Sequence, residues 1–384
     1  LWFLEPSYIR QASGEAGVPA AAPDALLTAA QRIAAHPAAV ALAWHCHYCL
    51  FRARNTAAWW LWPPIERLLG RDADLFNLLV VLSNLPAMRA LHQERAVPQR
   101  VIGDTLADIA RWMYVHHETF GRWGIDASRA RWLSHHLAGE VYHLGRLQYM
   151  VDRFEMPARF YRHRATGAVL ALSEDGVPYR PDGRPGGTGG VNDPAGSWTA
   201  YHLDDGQEVQ GYPLLPTGTA LQKEVRLTLR EWQPILKPGD PILDIHIPRG
   251  GPLDVDLCKR SLEEALAFFP RHFPDRPFVA FSCWSWILDP QLQAMLPDTS
   301  NLVRFQREMY LLPVPSEEDD NLDFLFGLTP FDLHSAPRDT SLRRAVLDHL
   351  LAGGHLYDGG GVLFPQDLYR GRQVYLRQQL PLPD

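Results

Sequence analysis

Lysine is nearly absent from this chain. Of 37 Lys and Arg side chains only Lys223, Lys237 and Lys259 are lysines, which reads as a coding bias toward arginine. Positive charge is not in excess either. The net charge of -7 leaves no basic face for nucleic acid, so none is expected as a partner. Cysteine is scarce, at Cys46, Cys49, Cys258 and Cys283. Four scattered thiols do not make a secreted disulfide scaffold, and reduced thiols in a cytoplasm are expected. No apolar run reaches the roughly 18 residues that span a bilayer, and no membrane is expected. The run from Val40 to Leu50 is short and interrupted by His45 and His47. No signal peptide is visible; the chain begins at Leu1, and a few residues are expected to precede it. There is no internal repeat. The glycine-rich stretch Gly183-Arg184-Pro185-Gly186-Gly187-Thr188-Gly189-Gly190 lacks the lysine of a nucleotide-binding P-loop, so Asp182 to Ser197 is expected to be a flexible surface loop.

What remains is an ordinary globular composition, 46% hydrophobic and 21% charged over 384 residues, enough for two or three domains. The first third has apolar spacings near 3.6. Asp24 is expected to cap a helix over Ala25 to Ala35. Val40 to Arg52 follows, and Pro63-Pro64 opens another helix. Leu75 to Leu82 starts at Asp72 or Asp74. A long helix starts at Asp104 and ends at Gly121 and Gly124, and Ser128 caps Trp132 to Leu147. Short connections between such helices predict a bundle.

Near Gly145 the pattern changes. Strands are expected at Leu147 to Phe154, Arg159 to Arg164, Ala168 to Leu172, Glu224 to Gln233, Ile242 to Pro248, Pro277 to Trp286 and Tyr310 to Val314, with a last one near Gly361 to Phe364. Helices at about Asp256 to Phe269, Asn301 to Met309 and Leu342 to Leu351 interleave, and Glu317 to Asp320 is an acidic turn. The fold class is α+β.

Two clusters invite a metal reading. In His45-Cys46-His47-Tyr48-Cys49 a helix would bring His45 and Cys49 to one face and turn the other two away. Glu140-Val141-Tyr142-His143 has the Glu-x-x-His spacing of di-iron bundles. Glu118 is one conceivable partner, but no second copy of the motif exists, and no metal ligands are assigned.

The run from Ile242 to Arg307 carries more chemistry. Strand alternation puts Leu243, Ile245 and Ile247 on one face and Asp244 and His246 on the other. A histidine there suits a general base, with an unperturbed pKa of about 6.5; it equally suits a structural hydrogen bond under a loop. Gly250 and Gly251 allow close backbone approach, and the helix that follows offers free amides to an anion. Asp254 and Asp256 would cap that helix and repel a phosphate. In Ser282-Cys283-Trp284-Ser285-Trp286, Cys283 and Ser285 share a face. Cys283 is either a nucleophile with His246 as its base or a small buried thiol.

These segments resemble a known family. His246-Ile247-Pro248, Gly250-Gly251-Pro252-Leu253, Cys258 with Ser261, and Phe268-Phe269 carry the resemblance. So do Cys283-Trp284-Ser285-Trp286-Ile287-Leu288-Asp289-Pro290, and Ser300-Asn301-Leu302 with Phe305. Leu144-Gly145-Arg146-Leu147-Gln148-Tyr149 looks like the entry to the same domain. The family is a bacterial acyltransferase-like group. It joins a helical N-acyltransferase N-terminal domain, here residues 1–143, to a GNAT-like C-terminal domain, here residues 144–384. The resemblance implies a mixed β-sheet flanked by helices and transfer of an acyl group, acetyl above all, from acetyl-CoA or another acyl-CoA to an amine. It implies that the pantetheine arm lies between two diverging strands, Ile242 to Pro248 and Pro277 to Trp286. His246 would be the base, and Cys283 or Ser285 the donor to the leaving thiolate. The backbones of Ile247, Arg249, Gly250, Gly251 and Leu253 would contact the cofactor, and the acceptor would be a small-molecule or peptide amine. Oligomeric state is not legible. The family's usual diphosphate loop reads Gln/Arg-x-x-Gly-x-Gly/Ala; counted from Arg249, Pro252 and Asp254 occupy its glycine positions. A non-catalytic binding protein on the same scaffold is therefore the alternative, and a metal-dependent oxidase using the N-terminal histidines is a second.

Overall fold

The structure, a computed structural model, describes residues 1–55, 65–188, 195–316, 322–326, 332–368 and 375. The helix start at Pro63-Pro64, the acidic turn at Glu317 to Asp320 and residues 189–194 of the glycine-rich loop lie outside the described residues. The chain forms two compact units, Leu1–Leu144 and Gly145–Asp384. The fold class is α+β, a helical region followed by a mixed sheet with flanking helices.

The first unit is built from α1 (Pro6–Glu15), α2 (Pro23–Ala34), α3 (Pro37–His47), α4 (Ala73–Leu82), α5 (Leu85–Glu94), α6 (Gln99–Phe120) and α7 (Ala127–Leu137). Proline opens α1, α2 and α3, where its missing N–H costs nothing. Asp24 therefore sits inside the first turn of α2 instead of capping it. Every residue of α4 is buried, Asp74 and Asn77 included, and a helix buried on all sides belongs in the middle of a bundle. By length and composition the stretch Glu66–Glu94 would suffice to cross a membrane, although the sequence showed no such uninterrupted run; 72% of its most apolar window is buried inside the protein. Helix α6 starts five residues before Asp104 and stops at Gly121, whose φ of 67° ends it. Asp126, not Ser128, caps α7 by accepting from Arg129 N at 2.8 Å. The helix ends at Leu137 because Gly139 turns left-handed at φ 68°, and the expected extension to Leu147 is a strand instead.

In the second unit the central sheet holds β1 (Leu147–Arg153), β2 (Pro241–His246), β3 (Ala280–Ser285), β4 (Tyr310–Pro313) and β5 (Gly359–Leu363), in the order β1-β2-β3-β5-β4. Only β2 and β3 run parallel. Their crossover is α8 (Val255–His272), whose Ser261 Oγ meets Tyr149 OH at 2.9 Å and accepts Leu147 N at 3.2 Å. A second sheet carries Ala158–His163, Val169–Ser173 and Trp232–Leu236. The single strand expected over Glu224 to Gln233 is two, because Val225–Thr228 pairs in a different sheet from Trp232–Leu236. Tyr310 OH donates to Leu214 O and accepts from Ala171 N, joining β4 to that second sheet. The buried pair of Arg162 with Asp367, 2.8 Å apart, adds a further tie.

In its described part, residues 183–188, the loop after Asp182 is tied down rather than flexible. Ala220 N donates to Gly183 O and Gly186 N to Pro178 O, both at 2.9 Å. The Arg184 guanidinium stacks 4.1 Å above the Tyr357 ring.

Candidate active site

The register of the central sheet creates the site. Ile242, Leu243 and Asp244 of β2 lie opposite Ala280, Phe281 and Ser282 of β3, and their pairing ends there. Strand β2 continues on β1, with Ile245 opposite Tyr149 and His246 opposite Gln148. Strand β3 continues on β5, with Cys283, Trp284 and Ser285 opposite Gly361, Gly360 and Gly359. The two strands therefore part, and a wedge opens between Ile245–His246 and Cys283–Ser285.

Local packing explains why β3 is drawn away. Three successive glycines in β5 admit neighbours that a side chain would exclude: a Cβ on Gly360 would lie 2.6 Å from Met156 Sδ, and one on Gly361 2.6 Å from Met309 Sδ. Ser285 accepts from Ile287 N at 3.5 Å and turns the chain into the helical turn Trp286–Leu288. The fully buried Asp289 takes Tyr357 N at 2.9 Å and Gln291 N at 3.0 Å. Burial pushes its carboxyl up, against the hydrogen bonds that favour its charge. Gln306 Nε2 donates to Ile287 O and Asp289 O at 2.7 and 2.9 Å. Asp289, noted in the sequence as part of a motif, is thus an anchor beneath the wedge.

His246 faces the wedge on the same side of β2 as Asp244, as alternation predicted. Its Nε2 lies 3.1 Å from Asp244 Oδ2, and its side chain is 30% exposed. Trp284 shares that face and is 44% exposed. Cys283 does not. The register places it with Leu243, Ile245 and Phe281 on the α8 face, where it is buried. Burial, then the charges of Asp244 and Asp358, push its thiol well up. The pairing of Cys283 with His246 is thereby corrected: the strands are neighbours, but the side chains point to opposite faces. Ser285 follows Cys283 in alternation but stands at the end of β3, where it is part-exposed.

Beyond β2 the chain turns through Gly250 and Gly251, with φ of 108° and 72°. Arg146 reaches this loop with its whole guanidinium, donating to Pro252 O at 2.9 Å and to Pro248 O and Gly251 O at 3.2 Å. The N-terminus of α8 is closed. Asp254 Oδ1 accepts Asp256 N and Leu257 N, both at 3.0 Å, so the expectation that these helix amides grip an anion is not met. Ile247 and Leu253 flank the loop, part-exposed. A cavity of about 160 Å³ lies beside the first turns of α8, lined by Val255, Cys258, Leu262, Phe305, Met309 and Leu363, with Lys259 and Glu308. The sequence missed the role of Arg146, although it stood in a quoted motif, because its partners are backbone carbonyls 102 to 106 residues away.

The candidates of the helical unit have other partners. His45 Nε2 and Cys49 Sγ are 3.5 Å apart, as helical spacing predicted. His47 Nδ1 meets Ser83 Oγ at 2.6 Å, and burial, with Arg52, lowers its pKa to about 4. Glu140 is bound by His135 Nδ1 at 2.7 Å and by Arg54. His116 faces Asp74 at 3.2 Å and His136 faces Asp108 at 3.3 Å. Among the described residues, no group of three or more His, Cys, Asp or Glu side chains is placed to hold a metal.

The model of the N-acyltransferase N-terminal domain matches residues 9–139, and that of the GNAT-like C-terminal domain matches residues 141–363. No curated protein matches. Among solved structures, an acyltransferase in complex with decanoyl-CoA is similar at 25% identity and a TM-score of 0.59, over 93% of this chain and 87% of that one. An acyltransferase with decanoyl-CoA and teicoplanin (24%, TM-score 0.61) and an acyltransferase mutant with octanoyl-CoA (24%, TM-score 0.63) are each covered over 92% of this chain and 87% of theirs. With both halves matched in order, the chain belongs to the family of acyltransferases that join an N-acyltransferase N-terminal domain to a GNAT-like C-terminal domain.

Proposed function

We propose that the protein is an acyl-CoA-dependent N-acyltransferase. The observation that carries this reading is the parting of β2 from β3 after Asp244 and Ser282. An extended pantetheine arm would enter that wedge and pair with the main chain of β2 near Ile247, as an added strand pairs with a sheet edge. The diphosphate would rest on the amides of Arg249, Gly250, Gly251 and Leu253, since Asp254 holds those of α8. The apolar cavity beside α8 offers room for the thin part of such a ligand.

The acceptor amine attacks the thioester carbonyl, and a C–N bond forms. His246, directly or through one water, takes the proton that the amine loses. Main-chain N–H groups at the wedge stabilise the oxyanion. The C–S bond then breaks, and the CoA thiolate takes a proton from the Ser285 hydroxyl, which is later restored from solvent. Ser285, part-exposed at the end of β3, suits this role better than Cys283, which is fully buried. The Asp244 carboxyl, 3.1 Å from His246 Nε2, lies where it would steady the imidazolium that forms.

Acetyl is the simplest acyl group, but the neighbours' decanoyl-CoA and octanoyl-CoA complexes support medium chains as well. The complex with teicoplanin supports a small-molecule or peptide amine as acceptor. Four free cysteines agree with a cytoplasmic setting.

Calorimetry with acetyl-, octanoyl- and decanoyl-CoA, followed by thiol release with a panel of amines, tests the reading. Binding with turnover supports it. Binding without turnover on any amine favours the non-catalytic alternative, and no binding removes both.

A further inference from the structure

We propose that Arg146 is a positioning residue. It shapes the 248–252 loop into a diphosphate-binding element and replaces, by a fork of hydrogen bonds, the glycines that this loop lacks. The inference rests on the acyl-CoA reading above.

Three carbonyls, those of Pro248, Gly251 and Pro252, turn inward onto one guanidinium at 2.9 to 3.2 Å. The planar fork of arginine fixes their directions together, which a single-point donor such as lysine cannot do. In a trans peptide the N–H lies opposite the carbonyl of the same unit. With Pro248 O and Pro252 O turned toward Arg146, the amides of Arg249 and Leu253 point away from it. Between them Gly250 and Gly251 hold positive φ, at 108° and 72°, which only glycine adopts freely. A Cβ at either would meet nothing within 4 Å, so the backbone angle alone demands glycine there. Among the described residues no acceptor takes the amides of Gly250, Gly251 or Leu253. A turn that directs several amides outward is an anion-binding concavity.

The neighbouring alternative is closed. Two first-turn amides of α8, those of Asp256 and Leu257, are held by the Asp254 carboxyl, which stands beside the loop. A diphosphate at this end of β2 therefore depends on the loop, and the loop's shape depends on Arg146.

The test uses full-length protein, Arg146→Lys and Arg146→Ala. The probes are CoA and pantetheine, which lacks the diphosphate and nucleotide, with binding read by calorimetry. Wild type should bind CoA more tightly than pantetheine. Both variants should lose about tenfold or more in CoA affinity, which is readily resolved, with pantetheine affinity unchanged. Added guanidinium should restore part of the CoA affinity of Arg146→Ala. If Arg146→Lys binds CoA as wild type does, charge and not shape is at work, and the proposal is overturned. It is also overturned if both probes weaken equally or if both variants unfold, since Arg146 is then a general strut. Should wild type bind neither probe, the acyl-CoA reading itself falls, and this is distinct from the other outcomes.

Discussion

His246 Nε2 stands 3.1 Å from Asp244 Oδ2, two residues back on the same strand and on the same face. The carboxylate lies at the last rung where β2 and β3 pair, and the imidazole lies one step into the wedge. Strand alternation makes this pairing possible, because side chains two residues apart point the same way.

This arrangement separates the base from the carboxyl beside it. His246→Ala should cut thiol release by roughly 10²–10⁴-fold, the usual worth of a positioned base, with acyl-CoA affinity unchanged in calorimetry. Asp244→Asn should lose less, because the imidazole remains. An unchanged rate in His246→Ala would remove it from the mechanism.

Cys283 and Ser285 can be told apart. Cys283→Ala should keep acyl transfer within about twofold, and the native thiol should resist iodoacetamide, since burial disfavours the reactive thiolate. Ser285→Ala should slow thiol release while leaving affinity for acyl-CoA intact. The opposite pattern would return Cys283 to the chemistry.

The glycine run of β5 is a packing requirement. In Gly360→Ala the new Cβ would lie 2.6 Å from Met156 Sδ and 2.9 Å from Val314 Cγ1. Overpacking of this kind costs about 1–3 kcal/mol, to be read as a lower urea midpoint at unchanged slope. A midpoint equal to wild type would show that the wedge wall yields freely.

Arg162 and Asp367 are both buried, and Tyr375 OH also donates to Asp367 at 2.8 Å. Asp367→Ala strands the guanidinium and should cost about 3–5 kcal/mol in urea unfolding. The double variant Arg162→Met, Asp367→Leu should recover much of that loss. Equal loss in single and double variants would contradict this account.

Asp108 sets an acid limit on the helical unit. Burial alone would raise its carboxyl. His136, Arg111 and the Trp132 indole outweigh burial and hold it well below the usual carboxylate range. Its folded pKa is thus depressed, so its contribution is complete above the unfolded value of about 3.9 and is lost as pH falls toward the folded one. Asp108→Asn should be less stable at pH 7 and should show a flatter loss of stability below about pH 4. A parallel loss in both proteins would refute the linkage.

Some of this was legible in the residues. The alternation in Ile242 to His246 placed Asp244 and His246 together because strand periodicity is local. Gly121 ended α6 because a positive φ is a local demand. Helix starts were less legible. At α2 the chain starts at Pro23 and leaves Asp24 in the first turn, since two residues both compatible with that end compete. In the described part of the glycine-rich stretch, residues 183–188, composition misled, because it reports backbone freedom but not the hydrogen bonds from Ala220 or the Tyr357 ring that remove it.

The sequence by itself determined the α+β class, the change of pattern near Gly145, the family resemblance and the face that His246 occupies, all of which follow from short-range periodicity and motif. Tertiary structure alone decided where β2 and β3 part, which face of the sheet receives Cys283, and that Arg146 organises the loop before α8, whereas the Asp254 cap on that helix was legible in the sequence. Those outcomes depend on register and on partners such as the loop carbonyls 102 to 106 residues from Arg146, and no local pattern encodes which distant groups will meet.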